Sequence, residues 1–133
     1  MIMRVSLAIW LFLWARIGLP WRSFQWTPSF RRVELIPFQV GSPRTYVLNV
    51  LAFVPFGIIG TRLGWQPSRV IVVAAAVSAL TELSQLFSPG RFPSITDVIL
   101  NTSGALLGVA FAVAVRNVVT APGGRREPTE RLD

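Results

Sequence analysis

The chain has 133 residues, of which 52% are hydrophobic and only 14% are charged, a charged share too small to cover a soluble domain of this size. The formal charge is +7, but the arginines lie at the ends of apolar runs rather than on a basic face interleaved with aromatics, so nucleic-acid binding is not expected. Cysteine and histidine are both absent, which excludes disulfides, thiolate chemistry, histidine bases and most zinc sites. The clustered apolar runs predict an all-α membrane protein.

The first apolar run, from Val5 to about Leu19, predicts a retained transmembrane helix. A signal peptide is the competing interpretation, but no Ala-x-Ala-like cleavage site follows, and Trp10 and Trp14 are bulky for such a segment. Residues 20–42 then form a loop rich in proline, arginine and tryptophan, in which prolines and charges exclude a spanning helix. The tryptophans are expected to act as anchors at the membrane interface.

The second and third runs are each opened by a proline. Ser42 followed by Pro43 predicts a capped helix start, and the apolar run continues to Leu63, about 20 residues and long enough to span a bilayer. Pro55 lies in the middle of this run and should kink the helix. The third helix is predicted over residues 67–87, where a Ser-Pro-Gly sequence ends it.

The fourth helix is predicted to begin near Ser94, because Ser94 and Asp97 match a capping box, and to end at about Val115. The chain is therefore expected to fold as a bundle of four transmembrane helices with one long loop between the first two. Residues 1–115 form the transmembrane domain in this interpretation. Residues 116–133, which contain glycine, proline and alternating charges, are predicted to be a disordered charged tail.

The number of spans fixes the relative position of the termini but not the orientation. Four spans place both termini on one side of the membrane. Seven arginines lie on that side and six on the other, so the positive-inside rule leaves the orientation open. The basic tail favours termini in the cytoplasm.

The polar residues of the apolar runs are concentrated towards one end of the predicted bundle. Glu82 lies inside the third run, where a carboxylate is costly and is expected to face other helices. Asn49 lies near the start of the second span, Gln85 near the end of the third and Asp97 at the start of the fourth, so alternating helices place all three on one membrane side. The candidate ligand-binding residues are Asn49, Glu82, Gln85, Arg91, Asp97 and Asn101.

Each candidate also has a structural interpretation. Glu82 could stabilise the bundle through a buried hydrogen bond, and Asp97 could serve only as a helix cap. Arg91 could hold a phosphate, pair with a carboxylate or contact head groups. The asparagines and glutamine could be interhelical hydrogen-bond partners. A second set of residues is assigned to packing and to the kink: Pro55, Gly57, Gly104 and Gly108.

An ordered set of short motifs resembles the VanZ-like family over roughly residues 33–112. The motifs are Leu35-Ile36-Pro37-Phe38, Asn49-x3-Phe53-x-Pro55-x-Gly57, Glu82-x2-Gln85, Arg91-x5-Asp97 and Asn101-x2-Gly104-x3-Gly108. The resemblance implies a small multispanning protein of the bacterial cell membrane, in a family associated with teicoplanin resistance. It implies no particular reaction.

Residues and resemblance together favour a protein that binds a membrane-embedded ligand, either a lipid-linked cell-wall intermediate or an amphiphilic glycopeptide. Such a protein would contribute to antibiotic tolerance or envelope homeostasis. Its expected partners are membrane lipids or a lipid-linked precursor, and the glycine stripes would also suit a homo-oligomer.

Two alternatives stay open, and with them the question of whether the protein is an enzyme. One is a carboxylate- or metal-dependent enzyme acting on a lipid-linked precursor, in which Glu82 and Asp97 would supply acid and base or hold a divalent cation. No other cofactor is evident. The second alternative is a small proton-coupled drug exporter that uses Glu82.

Overall fold

The computed structural model describes residues 2–19, 24–30, 33–39 and 41–120, which form four α-helices. These are α1 (Ile2–Gly18), α2 (Pro43–Arg62), α3 (Pro67–Gln85) and α4 (Ile95–Thr120). The described residues contain no β-strand, only an isolated bridge between Glu34 and Ser94. The predicted all-α class is confirmed.

The helix starts follow the predicted caps. Ser42 caps α2, its hydroxyl accepting the backbone N–H of Thr45 at 3.2 Å, and Pro43 opens the helix because proline suits the first turn. Pro67 opens α3 in the same way. Pro55 lies within α2, and the chain is helical on both sides of it, from Pro43 to Arg62.

α4 is longer than the sequence suggested. The predicted end at about Val115 is too early, because the helix continues through Arg116 to Thr120. Nothing in residues 116–120 breaks a helix, and the first proline is Pro122, which disfavours helical backbone in the residue before it. The remainder of the predicted disordered tail, residues 121–133, lies outside the described residues.

α2 and α4 make the most extensive contact in the molecule, along what we call the glycine seam, formed by Gly57, Gly104 and Gly108. A Cβ atom added at any of the three would collide with a backbone carbonyl oxygen of the opposite helix. Only glycine permits this approach, so the predicted packing role of these glycines agrees with their positions.

α1 packs against α2 through aromatic side chains. Trp10 and Trp14 stack in parallel with ring centroids 5.9 Å apart, and each meets Phe53 in an edge-to-face arrangement. The Trp10 indole N–H donates to the Ala52 carbonyl at 2.8 Å. Apolar neighbours and polar acceptors inside the bundle therefore contact both rings. The role of these two tryptophans as anchors at the membrane interface stays a prediction.

Three helices, α2, α3 and α4, are long and apolar enough to cross a membrane. Large apolar side chains are exposed on their outer faces, among them Leu51, Leu80 and Phe111. Exposed apolar surface on this scale is unfavourable in water but suits lipid. α1 has 17 residues and also exposes apolar side chains, including Phe12.

The long loop packs on the end of the bundle where α3 ends and α4 begins. The backbone N–H groups of Gln25 and Ser29 donate to the carbonyls of Phe87 and Leu86 at 2.7 and 2.9 Å, and so satisfy groups that the end of α3 leaves free. Glu34 exchanges backbone hydrogen bonds with the segment around Ser94. The loop therefore fixes the start of α4.

Candidate functional site

A cavity of about 520 Å³ lies among the four helices. We call it the polar cavity. It is lined by Trp10, Leu13 and Trp14 of α1, Thr45, Leu48, Asn49 and Ala52 of α2, Thr81, Glu82 and Gln85 of α3, Arg91 of the α3–α4 loop, and Asp97 and Asn101 of α4. All six candidate ligand-binding residues of the sequence analysis lie in this lining. Alternating helix directions bring them together, since the ends of α1 and α3 meet the starts of α2 and α4.

Asn49 and Asp97 form the polar link between α2 and α4. The Asn49 side-chain amide donates to Asp97 Oδ1 at 2.6 Å. A hydrogen bond to a carboxylate is stronger than one between neutral groups, and here it holds the Asp97 side chain towards the cavity. Asp97 is half-buried and thus keeps part of its surface available.

Glu82 takes the position that the capping box assigned to Asp97. Glu82 Oε2 accepts the backbone N–H of Ser94 at 2.8 Å, whereas the Ser94 hydroxyl accepts the N–H of Thr96 at 3.2 Å. The predicted capping box is therefore correct only in its serine half. Glu82, a carboxylate from α3, accepts the Ser94 N–H that a capping box would pair with Asp97. The Asp97 side chain is therefore free to face Asn49.

Glu82 also separates two spaces in the molecule. Besides the polar cavity, it lines an apolar groove of about 380 Å³ on the outer side of α3 and α4, together with Leu83 and Val98. The side chain is 8% exposed, as expected for a carboxylate that faces other helices. Its bond to Ser94 joins α3 to the start of α4 between the two spaces.

Asn101 carries an acceptor without a partner. Its side-chain amide donates to Ser78 Oγ at 2.8 Å, but Oδ1 is buried and accepts no hydrogen bond from the described residues. The residue is only 2% exposed and lines the polar cavity. Because an unsatisfied buried polar atom destabilises a protein by about 1–3 kcal/mol, this oxygen is suited to a donor from outside the chain.

Arg91 and Gln85 occupy different depths of the cavity. Gln85 is 8% exposed, near the end of α3, whereas Arg91 is exposed in the following loop. Thr45 and Leu48 are also exposed, and with Arg91 they define what we call the cavity mouth. A cationic group at the mouth can contact an anion that stays near the membrane surface.

The described residues hold no group of three or more histidine, cysteine, aspartate or glutamate side chains close enough for a metal ion. Glu82 and Asp97 line the same cavity, but each already accepts a hydrogen bond from the protein. The donor set usual for a tightly held Ca²⁺ ion, six or more oxygens, is not assembled by these two side chains alone.

Sequence reasoning missed the apolar wall of the cavity. Trp14 donates its indole N–H to the Thr81 hydroxyl at 3.1 Å, linking α1 to α3 across the cavity lining. Trp10, Leu13 and Ala52 complete this wall. A signal was available, since Trp10 and Trp14 are one helical turn apart and thus share a face of α1.

These observations define a class: a helical membrane protein with a cavity that is aromatic on one side and polar on the other. The family model for VanZ/LLP1 matches residues 2–116, and the chain belongs to this family. The resemblance inferred from the motifs is thereby confirmed. No curated protein and no solved structure matches the chain.

Proposed function

We propose that this protein binds the polar head group of a membrane amphiphile in the polar cavity. The observation that carries the proposal is the two-sided lining, with Trp10, Leu13 and Trp14 opposite the carboxyl and amide groups of α2, α3 and α4. Ligand sites typically combine an apolar surface with a few polar groups that fix orientation. A volume of about 520 Å³ accommodates a head group rather than a whole lipid, whose chains would stay in the bilayer.

The family context supports a cell-envelope ligand. We propose a lipid-linked cell-wall intermediate or an amphiphilic glycopeptide, with a contribution to antibiotic tolerance or envelope homeostasis in a bacterial membrane. Arg91 would contact an anionic group at the mouth, while Asp97 would accept donors from the ligand. Catalysis and proton-coupled export stay predictions, since no described feature of the cavity favours either over binding.

Access from the membrane would pass beside α1. This helix lies close to α2 but makes only minor backbone contact with α3 and α4, and Trp14 supplies its hydrogen bond to α3. We propose that α1 is a fourth span, because 17 helical residues extend about 25 Å and its outer face is apolar. A gap between α1 and α3 would then open sideways to lipid.

The fourth span can be tested with single cysteines, since the chain has none. Ile2→Cys places an exposed thiol at the first residue of α1, and Trp26→Cys places one in the loop that follows the helix. If α1 crosses the membrane, a membrane-impermeant maleimide added to intact cells labels only one of the two variants. Equal labelling of both would contradict the fourth span.

Binding can be tested by filling the cavity without touching its polar groups. Leu48→Trp places a larger side chain at the cavity mouth, and Leu51→Trp is the matched control, because Leu51 is equally exposed on α2 but does not line the cavity. The measurement is native mass spectrometry of the full chain with phosphatidylethanolamine, phosphatidylglycerol, cardiolipin and a polyprenyl-diphosphate sugar.

We expect the parent protein to retain at least one of these amphiphiles with one-to-one stoichiometry. Leu48→Trp should weaken retention by about tenfold, equivalent to about 1.4 kcal/mol, and Leu51→Trp should leave it unchanged. Retention of no amphiphile, or equal retention by the parent protein and Leu48→Trp, would overturn the proposal.

A further inference from the structure

The balance of charge in the polar cavity restricts the ligand. Three charged residue types line it, with two carboxyl groups, Glu82 and Asp97, and one guanidinium, Arg91. Arg91 is exposed at the mouth, whereas Glu82 is buried and Asp97 is half-buried. The interior of the cavity therefore has acidic groups and no cation of its own among its lining residues.

The hydrogen-bond acceptors of the cavity also favour a ligand that donates hydrogen bonds. Asn101 Oδ1 is buried without a partner, and Asp97 accepts one side-chain hydrogen bond, through Oδ1 from Asn49. The side-chain amides of Asn49 and Asn101 each donate one hydrogen bond, to Asp97 and to Ser78. The inner wall thus presents carboxyl oxygens and one unpaired amide oxygen to a donor.

We propose that the head group carries a primary ammonium, which enters the cavity to donate to Asp97 and to Asn101 Oδ1. This inference rests on the proposed function and names its ligand class. An ammonium supplies three donors and one positive charge in a compact group, which suits the unpaired amide oxygen and the carboxyl groups together.

Other head groups lack the hydrogen-bond donor, the positive charge or both. A hydroxyl donates but carries no charge, and a trimethylammonium carries charge but has no N–H donor. An anionic head group would meet two carboxyl groups inside the cavity. A zwitterionic head group fits best, because its ammonium can lie inside while its phosphate stays at the mouth beside Arg91.

Three lipids with the same acyl chains separate these cases: phosphatidylethanolamine, phosphatidylcholine and phosphatidylglycerol. The full-length protein in detergent is titrated with each, and retention is measured by native mass spectrometry. We expect phosphatidylethanolamine to be retained at least about tenfold more tightly than the other two. Soluble phosphoethanolamine is a fourth probe and should bind more weakly than the lipid.

Variants of two asparagines on α4 supply the matched comparison. Asn101→Leu removes the unpaired acceptor and should abolish the preference for phosphatidylethanolamine, whereas Asn117→Leu changes an exposed asparagine of the same helix and should preserve it. Asn101→Asp keeps an acceptor and should retain the preference. Should Asn101→Leu not fold, Asp97→Asn removes the charge, keeps an acceptor for Asn49, and should reduce the preference.

The outcomes distinguish this inference from the proposed function. Equal retention of phosphatidylethanolamine and phosphatidylcholine, or a preference that Asn101→Leu and Asp97→Asn both keep, would overturn the ammonium assignment and leave amphiphile binding intact. Binding of soluble phosphoethanolamine as tight as that of the lipid would overturn a lipid source. Retention of no amphiphile at all would overturn both proposals.

Discussion

The glycine seam and the polar cavity are neighbouring parts of one bundle, but they are built in opposite ways. Along the seam, Gly57, Gly104 and Gly108 bring the backbones of α2 and α4 into contact, leaving no room for a side chain. In the cavity, the helices are held apart, and about 520 Å³ is enclosed between an aromatic and a polar wall. The same two helices contribute to both regions.

The difference shows how a small bundle can keep an open space. Without water to drive helices together, membrane helices associate through close packing and interhelical hydrogen bonds. The seam supplies close packing, whereas the cavity is crossed by a few hydrogen bonds, such as Asn49 to Asp97 and Trp14 to Thr81. We therefore expect substitutions in the seam to affect stability most, and substitutions around the cavity to affect it less.

The largest loss of stability is expected from Gly104→Ala. The added Cβ would collide with the Val50 carbonyl, a backbone group that can move only if α2 and α4 separate. We expect a loss of about 3 kcal/mol, at the upper end of the usual cost of overpacking. Unfolding of the purified protein in mixed micelles, followed by circular dichroism, measures it.

Gly60→Ala is the matched control for the seam. Its added Cβ would lie 2.9 Å from Val70 Cγ2, so that a side chain rather than the backbone of another helix has to shift. Its loss should be below about 1 kcal/mol, since the alanine also favours the helix. A Gly104→Ala variant as stable as Gly60→Ala would show that the seam is not the rigid part of the bundle.

An intermediate loss is expected from Glu82→Ala, which leaves the buried N–H of Ser94 without its acceptor. The expected cost is about 2 kcal/mol, within the range for an unsatisfied buried donor. Glu82→Gln keeps an acceptor oxygen in place and should cost less. Hydrogen exchange at the start of α4, measured by mass spectrometry, should accelerate in Glu82→Ala only; equal acceleration in both variants would mean that the negative charge matters more than the hydrogen bond.

The smallest loss is expected from Trp14→Phe, which preserves the aromatic packing on Phe53 and removes the indole N–H that donates to Thr81. A net hydrogen bond contributes about 1 kcal/mol. Thr81→Val removes the same bond from the other side, so the loss of stability in the double variant should be smaller than the sum of the two single losses. Additive losses in this double-mutant cycle would show that the bond does not link α1 to α3.

The limits of sequence reasoning are visible at the start of α4. The pattern Ser94-x2-Asp97 predicted a local capping box, and the serine does cap the helix. The Ser94 N–H, however, donates to Glu82, 12 residues before Ser94, and not to Asp97. A local pattern cannot reveal a competitor from another helix, because that competition depends on how α3 and α4 pack.

The aromatic residues of α1 teach the same lesson. A tryptophan of an apolar helix suits the membrane interface or the bundle interior, since both offer an apolar surface and a polar partner. Trp10 and Trp14 lie inside because Phe53 and the acceptors on α2 and α3 are there to receive them. The shared face of α1 is visible in the sequence, but the groups of α2 and α3 that contact it are not.

The sequence by itself determined the helical class, the starts of α2 and α4, the glycines of the seam, and the six polar residues of one bundle end, because these depend on local caps, on helical spacing and on the cost of polar groups in lipid. The tertiary structure alone decided which of these groups pair. Pairing requires a donor atom and an acceptor atom from two helices to lie within about 3 Å of each other. The packing of the helices provides no such donor for Asn101 Oδ1, which is buried without a partner among the described residues.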